Sequence, residues 1–312
     1  MTAPLAVWIG FGVFILVMLA LDMGLFHRNS HVVRFKEAAG WTIFWVALAM
    51  VFNLGLWYLA GRQKALEFLT GYLIEYSLSV DNVFVFALIF ATFGVPPRWQ
   101  HKVLFWGILG ALVMRLGMIV LGTALVRQFH WLLYVFGAFL IITGVKMAFQ
   151  KTEEIHPERN LALRLFKKIV PMTHGFHGNR FLVRQDGRLL ATPLLAVLVC
   201  VEVSDVIFAV DSIPAIFGVT LDPFIVYTSN VFAILGLRSL YFVLARALNL
   251  FHYLKQGLAL VLCFIGVKML LGGSAWEIGT FPALCVVAGV LGIAVAASIL
   301  FPPSETKQET KD

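Results

Sequence analysis

Nine runs of about 20 mostly apolar residues fall near 5–26, 41–60, 67–93, 103–126, 130–149, 192–217, 223–245, 253–272 and 278–300. Each has the length at which an α-helix crosses the hydrocarbon core of a bilayer. Only 13% of the 312 residues are charged, while 60% are hydrophobic; soluble domains carry roughly 25% charged residues. A soluble globule of this size needs a polar skin that such a composition does not supply. A soluble enzyme and a disordered chain are therefore both excluded. The expected fold class is an all-α polytopic membrane protein of about nine transmembrane helices, forming a single transmembrane domain over residues 1–312. The first run does not read as a cleaved signal, because no basic residue precedes it and its apolar stretch is too long. Cys200, Cys263 and Cys285 are too few, and too apolar in setting, for a disulfide framework or a zinc cluster.

The net charge of +7 raises nucleic acid as a partner, but in a membrane protein the placement of basic residues decides. Of the 24 Lys and Arg, 17 fall in the loops after spans one, three, five and seven or in the C-terminal tail. Three (Arg62, Lys64 and Arg127) fall on the opposite side, and four (Arg115, Lys146, Arg238 and Lys268) fall within spans. The positive-inside rule then puts the N-terminus outside and the C-terminus in the cytoplasm, with the bilayer and not nucleic acid as the partner surface. The long loop 150–191 becomes cytoplasmic. Within it Pro157–Pro171 reads as a short basic amphipathic helix lying on the membrane surface. Phe181–Leu190, with Asp186-Gly187 between apolar runs, reads as a hairpin. An ordered connector is the expectation for this loop, since the spacing of His156, His174 and His177 defines no metal geometry.

Two nineteen-residue segments align without gaps, Phe129–Met147 and Phe251–Met269. Both open Phe-His-aromatic-Leu and both close Gly-Val-Lys-Met. Upstream of each lies an acid, five residues and a second acid preceded by valine: Glu75 to Asp81, and Asp205 to Asp211. Ile108-Leu109-Gly110 with Arg115 echoes Ile234-Leu235-Gly236 with Arg238, at a different Gly–Arg spacing. Spans three to five (67–149) therefore repeat as spans six to eight (192–272), followed by the last span and tail, 278–312. An offset of three spans reverses direction, so the expected architecture is an inverted 3+3 repeat. Secondary transporters built this way hold their substrate near the midplane between the repeats.

Asp22, Glu75, Asp81, Glu202, Asp205 and Asp211 all lie within spans. Each acid near the bilayer centre costs roughly 2.5–3.5 kcal/mol on insertion scales, so six cost on the order of 15–20 kcal/mol. Two intramembrane arginines, Arg115 and Arg238, can balance two of them; the other four point to a cavity and a function. On an ideal helix Glu75 and Asp81 stand about 9 Å apart along the axis and about 120° apart around it. They cannot both chelate one ion unless the helix kinks or the ion is reached from two sides. Pro214 lacks the amide that would bond the carbonyl of Val210, so the helix is expected to loosen beside Asp211. Ser79, Asn82, Ser212 and Asn230 add oxygen donors. An oxygen-only, carboxylate-rich set suits Mn²⁺, Mg²⁺ or Ca²⁺. No histidine stands among these acids, which weakens zinc and copper, and Cys200 reads as a packing residue. With one divalent ion bound, about two protons are expected to be held to limit the remaining charge, which suggests exchange of protons for the ion. Lys146 and Lys268 are expected to snorkel from opposite span ends.

The stretches EYSLSVDNVFVF (75–86), VEVSDVIFAVDSIPAIF (201–217) and TSNVFAILGLRSLYF (228–242), with both GVKM segments, resemble the TerC/Alx family of bacterial integral membrane proteins. The likeness runs from Asp22 through span eight. It is greatest to the Alx branch, through the leading span, the GYLIE entry to span three and the loop hairpin before ATPLL. The resemblance implies export of manganese across the cytoplasmic membrane, with a response to alkaline pH. For relatives it implies tellurite resistance or metal supply to secreted enzymes. The family's intramembrane acids fall on Asp22, Glu75, Asp81, Glu202, Asp205 and Asp211.

The expected function is thus a proton-coupled Mn²⁺ exporter of the bacterial inner membrane, with the metal as substrate and no cofactor. Asp81 and Asp211 are the expected core ligands, and Glu75 and Asp205 complete the shell. Glu202 and Asp22 serve as outer ligands or proton relays, while Arg115 and Arg238 balance charge when metal is absent. Carboxylate sites discriminate poorly, so Ca²⁺ or another divalent cation is the alternative within transport. A non-transporting membrane scaffold in a stress response is the alternative outside it. An enzyme is not expected: the Gly-x-Gly-Asp pattern of an intramembrane aspartyl protease and the phosphate-binding Gly-x-x-x-x-Gly-Lys-Ser/Thr are both absent.

Overall fold

The computed structural model describes residues 4–26, 35–149, 170–173, 175–185, 188–244 and 253–300. The expected surface helix at Pro157–Pro171, together with His156, His174 and the Asp186-Gly187 turn, lies largely or wholly outside these residues. The described residues form nine helices and one hairpin: α1 (Leu5–Phe26), α2 (Phe35–Ala60), α3 (Arg62–Thr92), α4 (Pro97–Gln128), α5 (Leu132–Phe149), β1 (Leu182–Gln185), β2 (Arg188–Ala191), α6 (Pro193–Phe217), α7 (Pro223–Leu244), α8 (Leu254–Leu270) and α9 (Thr280–Leu300). The architecture is all-helical, as expected. In hydrocarbon a helix satisfies its own backbone, and these apolar runs have no other economical conformation.

Helix boundaries follow local chemistry. Pro97 and Pro193 sit at the first turns of α4 and α6, where the missing amide costs no internal bond. Gly61 separates α2 from α3 at φ 90°, and Gly94 ends α3 at φ 61°, conformations that a side chain resists. Seven helices, α2 to α7 and α9, are long and apolar enough to cross a membrane. Of the other two, α1 has 22 residues, of which Leu5–Leu21 are fully described, and α8 has 17, just short of a full span. In α8, Lys255 and Lys268 cut the apolar run at both ends.

The expected loosening at Pro214 does not break α6, which continues through the proline to Phe217. Pro214 lies in the last turn, where a missing amide removes a single bond and the chain ends its helix soon after. The hairpin expected over Phe181–Leu190 forms, with β1 antiparallel to β2 and Leu182 opposite Ala191. It is fastened to the start of α4: Lys102 donates to the carbonyl of Asn179 and lies over the Phe181 ring.

Helix α7 is the buried centre, covered by α2, α3 and α4, and buried along almost its whole length. Helix α6 packs on α3 and α4, and α5 packs on α8. Small residues let α5 and α8 approach at backbone distance, as is usual where apolar burial no longer drives helix association. A Cβ on Gly266 would lie 2.6 Å from the carbonyl oxygen of Gly137, and one on Gly144 would lie 2.7 Å from that of Ala259. In the nineteen-residue alignment Gly144 corresponds to Gly266 and Gly137 to Ala259, so the contact is reciprocal. Ile141 and Cys263 also correspond, and they meet between the two helices.

Candidate cation centre

Arg115 is carried into the middle of the bundle by α4 and is 1% exposed, the largest fully buried side chain among the described residues. Its guanidinium grips Asp205 of α6 in a two-pronged pair, Nε to Oδ2 at 2.9 Å and Nη2 to Oδ1 at 2.8 Å. Nη1 donates to Oε1 of Glu75 on α3 and, at 3.1 Å, to Oδ1 of Asn230 on α7. Four helices thus converge on one cation. The two acids it joins are the first members of the two acid-x5-acid motifs. A planar fork matches carboxylate geometry and stays charged, which is why arginine and not lysine serves such a pair. Two carboxylates on one guanidinium leave a local charge of −1.

The polar atoms around this clamp are incompletely satisfied. Oε2 of Glu75, Oγ of Ser79, Oγ of Ser212 and Nδ2 of Asn230 are buried without a hydrogen-bond partner. Buried polar groups are almost always paired, so such a group marks a place where a water, proton or ion belongs. By helix geometry Ser79 is one turn from Glu75 and Ser212 two turns from Asp205, each on nearly the same face. Asn82 is also buried on α3. A cavity borders Asp205 and Arg238, walled by Phe86, Leu104, Gly107 and Val201.

The other expected site residues stand apart from the clamp. Asp81 and Asp211 are half-buried, and each faces a lysine charge: Lys255 of α8 for Asp81, Lys146 of α5 for Asp211. Six residues along a helix turn the second acid of each motif away from the first, and in this conformation the turn is not undone. Among the described residues no three of His, Cys, Asp and Glu come close enough together to hold a metal ion. Asp22 belongs to α1, but its side chain lies outside the described set. Lys268 does not snorkel freely; half-buried, it donates to the carbonyl of Gly218 at 2.5 Å.

Glu202, half-buried on α6, lies against Gly110 of α4. A Cβ there would meet its carboxyl carbon at 2.6 Å and Oε2 at 2.7 Å, and Oε2 has no partner. Gly110→Ala is expected to leave the folded fraction unchanged, because the far end of a flexible side chain can yield. It is also expected to swing Glu202 out of its slot and raise modification of Glu202 by a lipid-soluble carbodiimide severalfold, read by mass spectrometry. Gly117→Ala, on the same helix with open space at the Cβ position, serves as control. Equal labelling in both variants would refute the slot.

Sequence reasoning missed Glu67, which is buried at the start of α3 and bonded to Gln63, Lys64 and Thr220. A signal was available, since Glu67 precedes Glu75 by eight residues on one helix. Asn53 of α2, whose buried Oδ1 lacks a partner, was missed as well.

The sequence model of the family described as "Integral membrane protein TerC family" matches residues 60–307. The chain is 54% identical over 293 residues to an uncharacterized membrane protein of Myxococcus xanthus, covering 94% of this chain and 92% of that one. It is 52% identical over 297 residues to a Salmonella typhi protein named "Putative membrane-bound redox modulator Alx", covering 92% of each. The Escherichia coli K12 protein of the same name is 50% identical over 293 residues, with 91% of each covered. No solved structure matches the chain. With the model spanning both acidic motifs and every helix from α3 to α9, the chain belongs to the TerC family of integral membrane proteins.

Proposed function

We propose that this protein is a secondary transporter that exports Mn²⁺ from the bacterial cytoplasm across the inner membrane in exchange for protons, without a cofactor and without enzymatic activity. The observation that carries the reading is the clamp itself. Two acids at corresponding places in the two acidic motifs are held by one tethered cation, amid unpaired buried polar atoms on three helices, among them oxygens of Glu75, Ser79 and Ser212. Arg115 stands where a cargo cation would need to bind, so binding and charge balance are coupled. Entry of a divalent ion requires the guanidinium to release a carboxylate, and its departure lets the clamp close again. The helix pairings support an inverted repeat, since α3 on α7 and α4 on α6 are the same pairing when spans three to five are matched to six to eight. The basic loops give the orientation, with the N-terminus outside.

Glu75 and Asp205 form the inner pair in this reading, and Asp81 and Asp211 are the flanking acids that exchange cargo and protons with it as the helices move. Glu202 and Asp22 are the outer acids. The relatives' name speaks of redox, but the three cysteines here lie on three separate helices, α6, α8 and α9, which favours ion movement over thiol chemistry.

The test is Mn²⁺ flux into proteoliposomes under an imposed pH gradient. Wild-type flux should depend on the gradient, and Asp211→Asn or Asp81→Asn should abolish it while the protein stays folded. Normal flux in either variant would remove these acids from the path. Transport of Ca²⁺ in preference to Mn²⁺ would change the cargo, and no flux of any divalent ion from folded protein would favour a scaffold.

A further inference from the structure

The central acids are closed off unequally along the bundle. The cavity beside Asp205 extends toward Val201, earlier on α6, and toward Leu104 and Gly107 near the start of α4. In the opposite direction, toward the end of α6, packing is tight. Phe217 lies against Gly122, where a Cβ would meet the ring at 2.9 Å. Ile216 and Ser229 press on Gly71, with Ser229 Oγ 2.9 Å from a Cβ built there.

A polar network lies over this plug. Lys64 at the start of α3 pairs with Asp222 at 2.9 Å and with Glu67 at 3.1 Å. Thr220 donates to Glu67 at 2.7 Å, and Lys268 donates to the carbonyl of Gly218. The start of α3 and the end of α8 are thereby tied to the short connection between α6 and α7. Glu67 and Thr220 are each 8% exposed, so these bonds are shielded from water rather than lying loose on a surface. Asp222 also accepts from the amide of Phe224 at 3.1 Å, capping α7. Apolar contacts would seal this end as well; ion pairs that can exchange their partners for water make a closure that reopens.

We propose that Lys64, Glu67, Thr220 and Asp222, with Lys268 on Gly218, form the external gate of the transporter, here in its closed position. The inference rests on the transport reading, and it assigns to these residues the step at which cargo leaves. The gate opens by parting α3 from the α6–α7 connection, exposing Ser229 and then the Arg115 clamp.

The test follows gate opening without following cargo. In protein with Cys200, Cys263 and Cys285 replaced by alanine, Ser229→Cys places a thiol beneath the network, and a membrane-impermeant maleimide is applied from outside to oriented vesicles. Asp222→Asn keeps an α7 cap but loses the ion pair, and Lys64→Met loses it from the other side. Each should raise the labelling rate about fivefold, the shift in open population expected from losing one partly shielded pair. A disulfide between Lys64→Cys and Asp222→Cys should hold labelling below the starting rate until it is reduced. Unchanged labelling in both single variants, shown to be folded, would overturn the gate even if Mn²⁺ flux is normal. Labelling that responds as expected in protein that moves no Mn²⁺ would keep the gate and overturn the cargo assignment.

Discussion

Replacing Arg115 with leucine is expected to lower the stability of the fold by about 3–5 kcal/mol, the range seen when one partner of a buried ion pair is removed. The loss arises less from the missing bonds than from what they leave behind. Asp205 would lose both of its donors and Glu75 the donor to its Oε1, while Glu75 Oε2 already has none. Arg115→Lys should lose less, since the charge survives, but it cannot supply the fork that holds Asp205 and reaches Glu75 and Asn230 at once. The decisive variant is the triple Arg115→Leu, Glu75→Gln, Asp205→Asn, which should recover much of the loss because no uncompensated charge remains. Thermal unfolding in detergent, following intrinsic tryptophan fluorescence, reads all three. A single Arg115→Leu variant as stable as wild type would mean that the clamp does not form in the folded protein.

Gly266→Val and Gly144→Val are expected to destabilise by at least 1–3 kcal/mol each, roughly the cost of overpacking a filled interface. The neighbours include backbone carbonyls, at 2.6 Å from a Cβ on Gly266 and 2.7 Å on Gly144, so rotation of the adjacent Ile141 or Cys263 side chain cannot relieve the contact. Helices α5 and α8 would have to separate along their line of contact. Because the two glycines occupy corresponding places in the aligned segments, the two losses should be nearly equal. Gly289→Val on α9, with open space at its Cβ position, should cost little. Two glycine variants that unfold with the control would show that α5 and α8 are not in backbone contact. A loss confined to one of them would break the reciprocity that supports the repeat.

Much of this molecule is legible in the amino-acid sequence. The helix count follows from apolar length, and the close of α3 and starts of α4 and α6 from Gly94, Pro97 and Pro193. The hairpin follows from its turn dipeptide. The family is legible in two acidic motifs. Glu75, Asp205 and Arg115 stand out in the sequence because charge in hydrocarbon is costly wherever it sits, and Asn230 stands out as an oxygen donor.

Their grouping was not legible. A one-dimensional pattern states how far apart two acids lie on one helix, and the 120° between Glu75 and Asp81 was available from it. It does not state which face of α3 meets α4, so it did not distinguish acids turned to Arg115 from acids turned to Lys255 and Lys146. Glu67 escaped notice because its role depends on Thr220, 153 residues away, brought near only when α6 ends beside the start of α3. Pro214 leaves α6 continuous because it stands in the last turn of its helix, a position that shows only once the end at Phe217 is seen. Sequence alone determined which elements form, since in a bilayer each helix satisfies its own backbone independently of its neighbours. Tertiary structure alone decided which of the central charges meet, since Glu75 and Asp205 find their counter-charge on another helix, and rotation of packed helices about their axes sets that choice.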